Sequence, residues 1–559
     1  MLYPQSNAYR KVYNLNGLWK FATVGDGYDP ATPLQNARWM PVPASYNELV
    51  VEKQLRDYIG KVAYEREFSV PLAGEKSFVL RVGAASHKFE VFLNGVKAGV
   101  GINGYYPIDI PLCNLQKKNR LTIVVDNVLD FWTFPPGRIE DGRQTINFDF
   151  YNFTGIHRDV LLYTLPEKPI EDIFIKTVYG GDYEKVCVQV KGDCKNVRFT
   201  VLNRDGEVLL ETTDDVFSLK NPVLWEIGKP YLYTLKVETD GDEYEEPFGI
   251  RKVSFDDKGL YVNDKPVYLK GFCLHDDFFL IGKANNSAVN IRNFELLKWS
   301  GANSVRTSHY PYSEEFMRLA DEYGILVIDE VPAVGMNAFR GEGNFTPNRM
   351  NEQTKALHKE LIKLLWERDK NHPSMVMLSV ANEPATEEDA ARPYFQDVIN
   401  YTRTLCDLPI MIAEVTKFVQ ESKVADLVDF TALNRYYGWY EEHGNLYRTE
   451  NMLKDEFYKW HEKYGKPIIV TEFGADTLEG VHSLPSETFS EEYQRDFYEE
   501  NCRVFDEMDF VVGEHVWNLA DFRTKQGVIR PRGNRKGVFT RDRQPKAAAF
   551  WLKERWKNK

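Results

Sequence analysis

The sequence predicts a three-module protein of mixed β and α/β class, with a jelly-roll β-sandwich, an immunoglobulin-like β-sandwich and a C-terminal (β/α)8 barrel. Its 559 residues suffice for three or four domains. Short strand-like runs separated by turn residues fill roughly the first 250 residues. Apolar runs that alternate with amphipathic helical segments fill the rest, which indicates parallel βα units.

The first predicted module covers residues 1–166. Strand-forming residues cluster at 78–82, 89–93 and 121–125, with turn signals between the clusters. Asn94-Gly95 directly follows one of these runs and supplies the positive φ angles of a tight hairpin turn. Many short strands without long helical periodicity predict a jelly roll, which we expect to be similar to sugar-binding domains.

The second predicted module covers residues 167–253. A proline-flanked stretch, LPEKP, marks the boundary before it. Short strand-like runs follow, separated by Gly, Asp and Asn, at 173–178, 186–190, 197–202, 208–211 and 231–237. Strands of this length and spacing predict a small immunoglobulin-like sandwich.

The third predicted module covers residues 254–559 and has eight apolar strand-like runs. They lie at 268–271, 303–306, 325–329, 375–380, 410–413, 429–433, 468–471 and 511–516. Amphipathic helical segments between the runs include 314–323, 353–369, 452–464 and 491–508. Eight βα units in about 300 residues predict a (β/α)8 barrel, whose active site lies at the carboxyl ends of the strands.

Composition limits the classes of partner. The formal net charge of −13 opposes binding to nucleic acid or to anionic lipid, both of which favour basic surfaces. The N-terminus carries no pattern of a secretory signal, and no apolar run reaches the length of a membrane span. Six scattered cysteines form no C-x-x-C pair. We therefore expect a cytoplasmic protein that binds neither nucleic acid nor membranes.

Two glutamates stand where a barrel enzyme places its chemistry. Glu383 follows the apolar run MVMLSVAN, and Glu472 follows PIIVT. These runs are the fourth and seventh of the eight, so their carboxyl ends meet at the barrel mouth. Either glutamate alone could be a solvated residue at a strand end. Together they match the pair of carboxylates that cleaves a glycosidic bond, one as acid and base and one as nucleophile or base.

The segments Asn382-Glu383-Pro384 and Thr471-Glu472-Phe473-Gly474 resemble the acid/base and nucleophile motifs of glycoside hydrolase family 2. The order of the three modules is similar to that family too. Several further segments resemble its β-glucuronidases in particular, and the similarity runs over nearly the whole chain. These segments are NFTGIHRD (152–159), GANSVRTSHYPY (301–312), DKNHP (369–373), NRYYGWY (434–440) and GNRKGVFTRDRQP (533–545).

The resemblance implies a catalytic role for Glu383, as general acid/base, and for Glu472, as nucleophile. It implies that Asn382 binds the sugar 2-hydroxyl. It also implies that Asn534 and Lys536, which form an N-x-K pair, bind the C6 carboxylate of glucuronate. The substrate-binding residues implied in this way are Asp149, His309, Asn382, Tyr436, Tyr440, Trp517, Arg530, Asn534 and Lys536.

The implied function is a retaining, exo-acting β-glucuronidase that needs no cofactor and no metal. An ammonium and an amide donor would distinguish a uronate from its neutral sugar by charge-assisted hydrogen bonds. The residues alone leave another interpretation open, in which Arg530, Arg532, Arg535 and Lys536 form a solvated basic loop. A β-galactosidase or β-mannosidase of the same family, and a catalytically silent carbohydrate-binding protein, are the alternatives.

The expected partners are glucuronide small molecules or glucuronate-ended oligosaccharides, and the expected assembly is a homo-oligomer, a tetramer or a dimer. Residues 99–104 match G-x-G-x-x-G, but prolines and strand-like alternation follow, so we interpret them as a turn. His275-Asp276-Asp277 is a weak metal motif without a partner cluster. The segment 333–351 is shorter than the loop that some relatives place there, and we expect a more open cleft.

Overall fold

A computed structural model describes residues 1–71, 77–178, 183–338 and 342–559 of the chain. The first module is a sandwich of two main sheets, in strand order β3-β2-β5-β11-β8-β9 and β1-β15-β6-β10. Two small sheets, β12-β13 and β4-β14-β7, complete it. Its elements are β1 Val12–Asn14, β2 Gly17–Val24, β3 Arg38–Val42, β4 Ala44–Ser45, α1 Tyr46–Leu49, α2 Lys53–Arg56, β5 Lys61–Ser69, β6 Ser77–Val82, β7 Ala85–Ser86, β8 Lys88–Leu93, β9 Val96–Gly101, β10 Ile108–Leu112, β11 Lys118–Asp126, β12 Gly137–Glu140, β13 Arg143–Ile146, β14 Gly155–Ile156 and β15 Val160–Leu165.

The β8–β9 hairpin contains one prediction that is confirmed and one that is wrong. Asn94 and Gly95 have φ angles of 53° and 85°, as a tight hairpin turn requires. The G-x-G-x-x-G segment is not simply a turn, because Gly99 and Gly101 lie within β9. Gly101 pairs with Phe89 on β8, and a Cβ atom at this glycine would lie 2.2 Å from the Phe89 ring. The glycine is therefore there for close packing between strands.

The second module is a sandwich of a three-stranded sheet, β16-β17-β20, and a four-stranded sheet, β19-β18-β21-β22. All neighbouring strands are antiparallel, and the core lies between the sheets. The strands are β16 Asp172–Val178, β17 Tyr183–Lys191, β18 Arg198–Leu202, β19 Val208–Thr212, β20 Val216–Lys220, β21 Tyr233–Glu238 and β22 Glu243–Phe248. The predicted sandwich is confirmed.

The third module opens with a small antiparallel sheet and continues into a closed ring of eight parallel strands, so the predicted barrel is confirmed. The small sheet consists of β23 Val253–Asp256, β24 Gly259–Val262 and β25 Lys265–Val267. The ring and its helices are β26 Leu269–Cys273, α3 Ser287–Ser300, β27 Ser304–Arg306, α4 Glu314–Tyr323, β28 Leu326–Glu330, α5 Glu352–Asp369, β29 Met375–Asn382, α6 Ala391–Leu405, β30 Ile410–Glu414, β31 Thr431–Asn434, α7 Thr449–Tyr464, β32 Ile468–Phe473, α8 Glu491–Asp506, β33 Val511–Val516 and α9 Ala547–Asn558.

The bounds of the barrel strands differ from those of the predicted runs by at most a few residues. A strand that is buried along its whole length is apolar nearly throughout, so it appears in the sequence as a continuous run. Turns rather than an α-helix connect β30 to β31, over residues 415–430. In the part of the chain that the structure describes, no helix combines the length and the apolarity that crossing a bilayer requires.

Trp225 joins the second module to the amino-terminal end of the barrel. Its side chain is fully buried and belongs to the cluster that contains Leu326 and Val376, near the start of barrel strands. Its indole Nε1 donates a hydrogen bond of 2.9 Å to the carbonyl oxygen of Asp321 on α4. The two modules therefore share one core at this point.

We expect Trp225→Ala to lower the free energy of unfolding of the barrel by about 3–5 kcal/mol, because it removes a large buried ring and leaves a cavity. Scanning calorimetry would measure this as a lower Tm of the barrel transition. Trp39→Ala is the matched control, since Trp39 lies on a strand of the first module and is 66% exposed. Equal effects of the two substitutions would contradict the shared core.

Candidate active site

Two barrel strands deliver the paired glutamates to one edge. Glu383 directly follows β29, a strand buried along its whole length, and Glu472 lies near the end of β32. Glu383 has a φ of 48°, a conformation that costs a residue with a side chain about 1 kcal/mol or more. Its backbone N–H donates to the carbonyl of Ala413 on β30 at 2.8 Å. The strand thus ends in a fixed turn at the acidic residue.

Arg306, the last residue of β27, connects the acidic residues of the site. Its guanidinium is fully buried and donates from Nη1 to Oε1 of Glu472 at 2.8 Å. Nη2 donates to Oδ1 of Asn382 at 2.7 Å, and Nε donates to Oε2 of Glu330 at 2.8 Å. Because the amide oxygen of Asn382 is engaged, its amide nitrogen is the atom that it can present to a ligand.

Glu330, at the end of β28, is a third buried carboxylate. Its Oε2 also accepts from Oγ of Ser379 at 2.6 Å, and its Oε1 accepts from Nδ1 of His309 at 2.7 Å. Burial opposes ionisation of Glu330, but the charge of Arg306 and the hydrogen bond from His309 outweigh it and lower the pKa. Glu330 therefore balances the charge of Arg306 and assigns the Nδ1 proton of His309.

The two glutamates have different surroundings. Glu472 accepts from Arg306 and, at Oε2, from the hydroxyl of Tyr436 at 2.7 Å. Glu383 accepts at Oε1 from Nδ2 of Asn434, at 2.8 Å. Desolvation, followed by the negative charge of Glu472, raises the pKa of Glu383. One carboxyl with a raised pKa beside a second carboxyl that pairs with a cation is the contrast that an acid and a nucleophile need.

A second group of charges lies on the loop that follows the last barrel strand. The side chain of Lys536 is fully buried, and its Nζ donates to the hydroxyl of Tyr440 at 2.8 Å and to Asp476. The guanidinium of Arg530 donates to the same Tyr440 hydroxyl. Asn534 is buried beside them and accepts the backbone N–H of Lys536 at 3.1 Å. We call Arg530, Asn534, Lys536 and Tyr440 the cation cluster.

Asp149 reaches this cluster from the first module. Its carboxylate accepts from Nε of Arg530 at 2.8 Å and from Nδ2 of Asn534 at 2.9 Å. The neighbouring Phe150 is buried, with its ring 6.2 Å from the ring of His309. The sandwich thus contributes both a charge and an aromatic side chain to the barrel mouth.

Aromatic rings form the wall between the glutamates and the cation cluster. The rings of His309 and Trp517 stack at 5.1 Å with an interplanar angle of 22°. Tyr436 and Tyr440 meet edge to face at 5.0 Å, and the hydroxyl of Tyr436 touches Glu472 while that of Tyr440 touches Lys536. Flat apolar surfaces of this kind suit the C–H faces of a sugar ring.

The structure thus brings all eleven predicted site residues into one connected network. Four further members were not predicted, namely Arg306, Glu330, Asn434 and Asp476. Each of the first three is the last residue of a barrel strand. Examining the carboxyl end of every predicted strand, rather than only the glutamates, would have found them. Asp476 had no such signal, because it lies three residues beyond β32.

The weak metal motif has other contacts. Nδ1 of His275 lies 3.1 Å from the hydroxyl of Tyr310, and Asp277 pairs with Arg541. Within the described ranges, no three or more His, Cys, Asp or Glu side chains form a group that could hold a metal ion. Residues 339–341 of the segment 333–351 lie outside the described residues, and the openness of the cleft stays a prediction.

Family profiles match the chain in three consecutive pieces. They are described as the sugar binding domain of glycosyl hydrolases family 2 at residues 12–166, glycosyl hydrolases family 2 at 170–251, and the TIM barrel domain of the same family at 253–559. A β-glucuronidase of Streptococcus agalactiae is 41% identical over 589 aligned positions, which cover 100% of this chain and 98% of that protein.

Solved structures agree over the same length. A β-glucuronidase from an uncultured Clostridium species superimposes with a TM-score of 0.97 at 44% identity and covers 100% of both chains. A Ruminococcus gnavus β-glucuronidase in complex with D-glucaro-d-lactam has a TM-score of 0.93 at 37% identity and covers 99% of both chains. From the profiles, the identity and the superposition together, the chain belongs to glycoside hydrolase family 2.

Proposed function

We propose that this chain is a retaining, exo-acting β-glucuronidase. The observation that carries the proposal is the buried ammonium of Lys536, held with Arg530 and Asn534 close to the pair Glu383 and Glu472. A neutral sugar offers these cations no anionic partner, whereas the C6 carboxylate of a glucuronide does. The relatives named β-glucuronidase, at 41–44% identity over the full chain, support the same activity.

In the first step, Glu383 gives its proton to the glycosidic oxygen while Glu472 attacks the anomeric carbon. The leaving alcohol takes the proton, and Glu472 becomes the glycosyl ester. Arg306 and Tyr436 hold the two oxygens of Glu472, which fixes the direction of attack. Asn382 presents its amide nitrogen for the sugar 2-hydroxyl, since Arg306 holds its oxygen.

In the second step, Glu383 takes a proton from water, which attacks the anomeric carbon and releases Glu472. The charge of Glu472 is absent in the ester, so one of the causes that raise the pKa of Glu383 is removed. Glu383 can therefore act as acid in one step and as base in the next.

The cation cluster gives the sugar specificity in this proposal. Lys536, Asn534, Arg530 and Tyr440 bind the C6 carboxylate, and Asp149 binds sugar hydroxyls. His309 and Trp517 form the pocket wall. A β-galactosidase or β-mannosidase would have no use for a buried lysine there. A silent binding protein would have no use for two glutamates in contrasting environments.

We further infer substrates that are small glucuronides or glucuronate-ended oligosaccharides, a homo-oligomeric assembly and a cytoplasmic location. Light scattering behind size-exclusion chromatography would separate a dimer or tetramer from a monomer of 64.9 kDa.

The first expected outcome concerns sugar specificity. Lys536→Met should lower kcat/KM on nitrophenyl glucuronide by roughly ten- to several-hundredfold, because a hydrogen bond to a charged group contributes about 1.5–3 kcal/mol. The matched glucoside lacks the carboxylate, so kcat/KM on it should change little. Lys546→Met is the control, since Lys546 is equally buried and pairs with Asp521 at 2.8 Å. If Lys536→Met leaves the ratio of kcat/KM on the glucuronide to kcat/KM on the glucoside unchanged, the proposal of a glucuronidase is wrong and the neutral-sugar alternatives are favoured.

The second expected outcome concerns stereochemistry. Two displacements at the anomeric carbon retain its configuration, so NMR should detect β-glucuronate as the first product of a β-glucuronide. Retaining enzymes hold the two carboxyl groups about 5–5.5 Å apart, and inverting enzymes about 6.5–9.5 Å. Appearance of the α-anomer first would rule out the covalent intermediate on Glu472.

The third expected outcome concerns pH. Glu383 must be protonated in the first step, so kcat/KM falls as pH rises through its pKa. Because that pKa is raised, the alkaline limb should lie above the ordinary glutamate value of about 4.3. Asn434→Ala removes the hydrogen bond that lowers this pKa and should move the limb to higher pH. A limb that moves to lower pH in Asn434→Ala would contradict the assignment of Glu383 as acid.

A further inference from the structure

A large open groove lies between the first module and the loops of the barrel, beside the cation cluster. Its volume is about 1230 Å³. One wall comes from the first module, through α2 and the β12–β13 hairpin, and the other comes from residues 523–542. Arg530 belongs to this wall and to the cation cluster, so the groove is continuous with that end of the site.

The lining of the groove is strongly basic in an acidic protein. Four carboxylates line it, namely Glu48, Asp57, Glu479 and Asp542. Nine cations line it, namely Lys53, Arg56, Arg143, Arg523, Lys525, Arg530, Arg532, Arg535 and Arg541. The whole chain has the opposite balance, with 70 basic and 83 acidic residues. Like charges gathered in one groove repel one another, and an anionic ligand relieves that repulsion.

Carboxylates already neutralise part of this charge. Glu48 accepts from both Arg523 and Arg541, and Asp57 accepts from Arg56. Outside the lining, Asp149 and Asp476 pair with Arg530, Asp521 pairs with Arg535, and Asp277 pairs with Arg541.

Four cations on the rims have no such partner. Lys53, Arg143, Lys525 and Arg532 are exposed, and none of them pairs with a carboxylate of the described residues. Among the residues that the structure describes, Nζ of Lys525 donates only to the carbonyl oxygen of Ile146, at 2.9 Å. These four side chains come from both modules and can meet several anionic groups of one ligand.

The groove also offers apolar surface between the charges. The guanidinium of Arg523 lies 4.0 Å from the centroid of the Tyr151 ring, and the side chains of Ile59 and Phe279 line the same groove. Rings and cations side by side suit a ligand with apolar faces and anionic substituents, as acidic sugars have.

We propose that this groove binds an anionic saccharide chain that carries carboxylate or sulfate groups on successive units. Binding there goes beyond hydrolysis, because it needs neither glutamate. The choice of a saccharide over another polyanion rests on the proposed function, since Arg530 links the groove to the glucuronate end of the active site.

The test uses the full chain with Glu472→Gln, which binds without turnover, in calorimetric titrations at low ionic strength. Heparin tetrasaccharide, which carries sulfate and carboxylate groups, and tetragalacturonate, which carries carboxylates alone, should both bind, and their binding should weaken as salt increases. Maltotetraose, which is neutral, should not bind. Adding Arg143→Ser and Arg532→Ser should weaken heparin tetrasaccharide roughly three- to thirtyfold.

The matched control adds Arg198→Ser and Arg204→Ser, two exposed arginines of the second module, and should leave the affinity unchanged. Equal weakening by both pairs, no weakening by the groove pair, or equal binding of maltotetraose would overturn the proposal. Tighter binding of a single-stranded DNA 12-mer would overturn it in favour of nucleic acid. Hydrolysis of nitrophenyl glucuronide by the active enzyme with the groove pair should be normal, so a failure of the proposed function is seen separately.

Discussion

The site depends on the guanidinium of Arg306. A fully buried cation is stable only when anions and acceptors surround it, and here Glu330, Glu472 and Asn382 fill that requirement from three different strands. The rigid fork of an arginine can hold several partners at fixed angles, which a lysine could not do. One desolvated charge thereby aligns Glu472 and the amide of Asn382, the residue next to Glu383.

Charge is distributed along the barrel mouth in a consistent order. Around Arg306, three glutamates outnumber the one cation, and burial together with the charge of Glu472 raises the pKa of Glu383. Around Lys536, the two cations Lys536 and Arg530 stand beside two carboxylates, Asp476 and Asp149, so this end is less negative than the surroundings of Arg306. A sugar with a carboxylate at one end and a leaving group at the other complements this order. The same polarity continues outward into the basic groove.

The β-sandwich modules are more than attachments to the barrel. Asp149 and Phe150 of the first module complete the mouth, and Trp225 of the second module packs into the opposite end. The eight strands hold the residues at their carboxyl ends in place. The first module supplies Asp149, which contacts Arg530 and Asn534 on the loop after the last strand. The side chains at the barrel mouth therefore come from modules that are far apart in sequence.

The sequence by itself determined the eight strands, since their apolar runs are buried on both faces, and it determined Glu383 and Glu472, since each follows such a run. It also suggested the cation cluster, through the family motifs around Asn534. Apolar runs reveal these features because a strand is formed by residues that are neighbours in the sequence. Only the tertiary structure showed that Arg306 joins three strands and that Gly101 of β9 serves packing against Phe89. These contacts pair residues distant in the chain, and burial decides their charges, which no local pattern encodes.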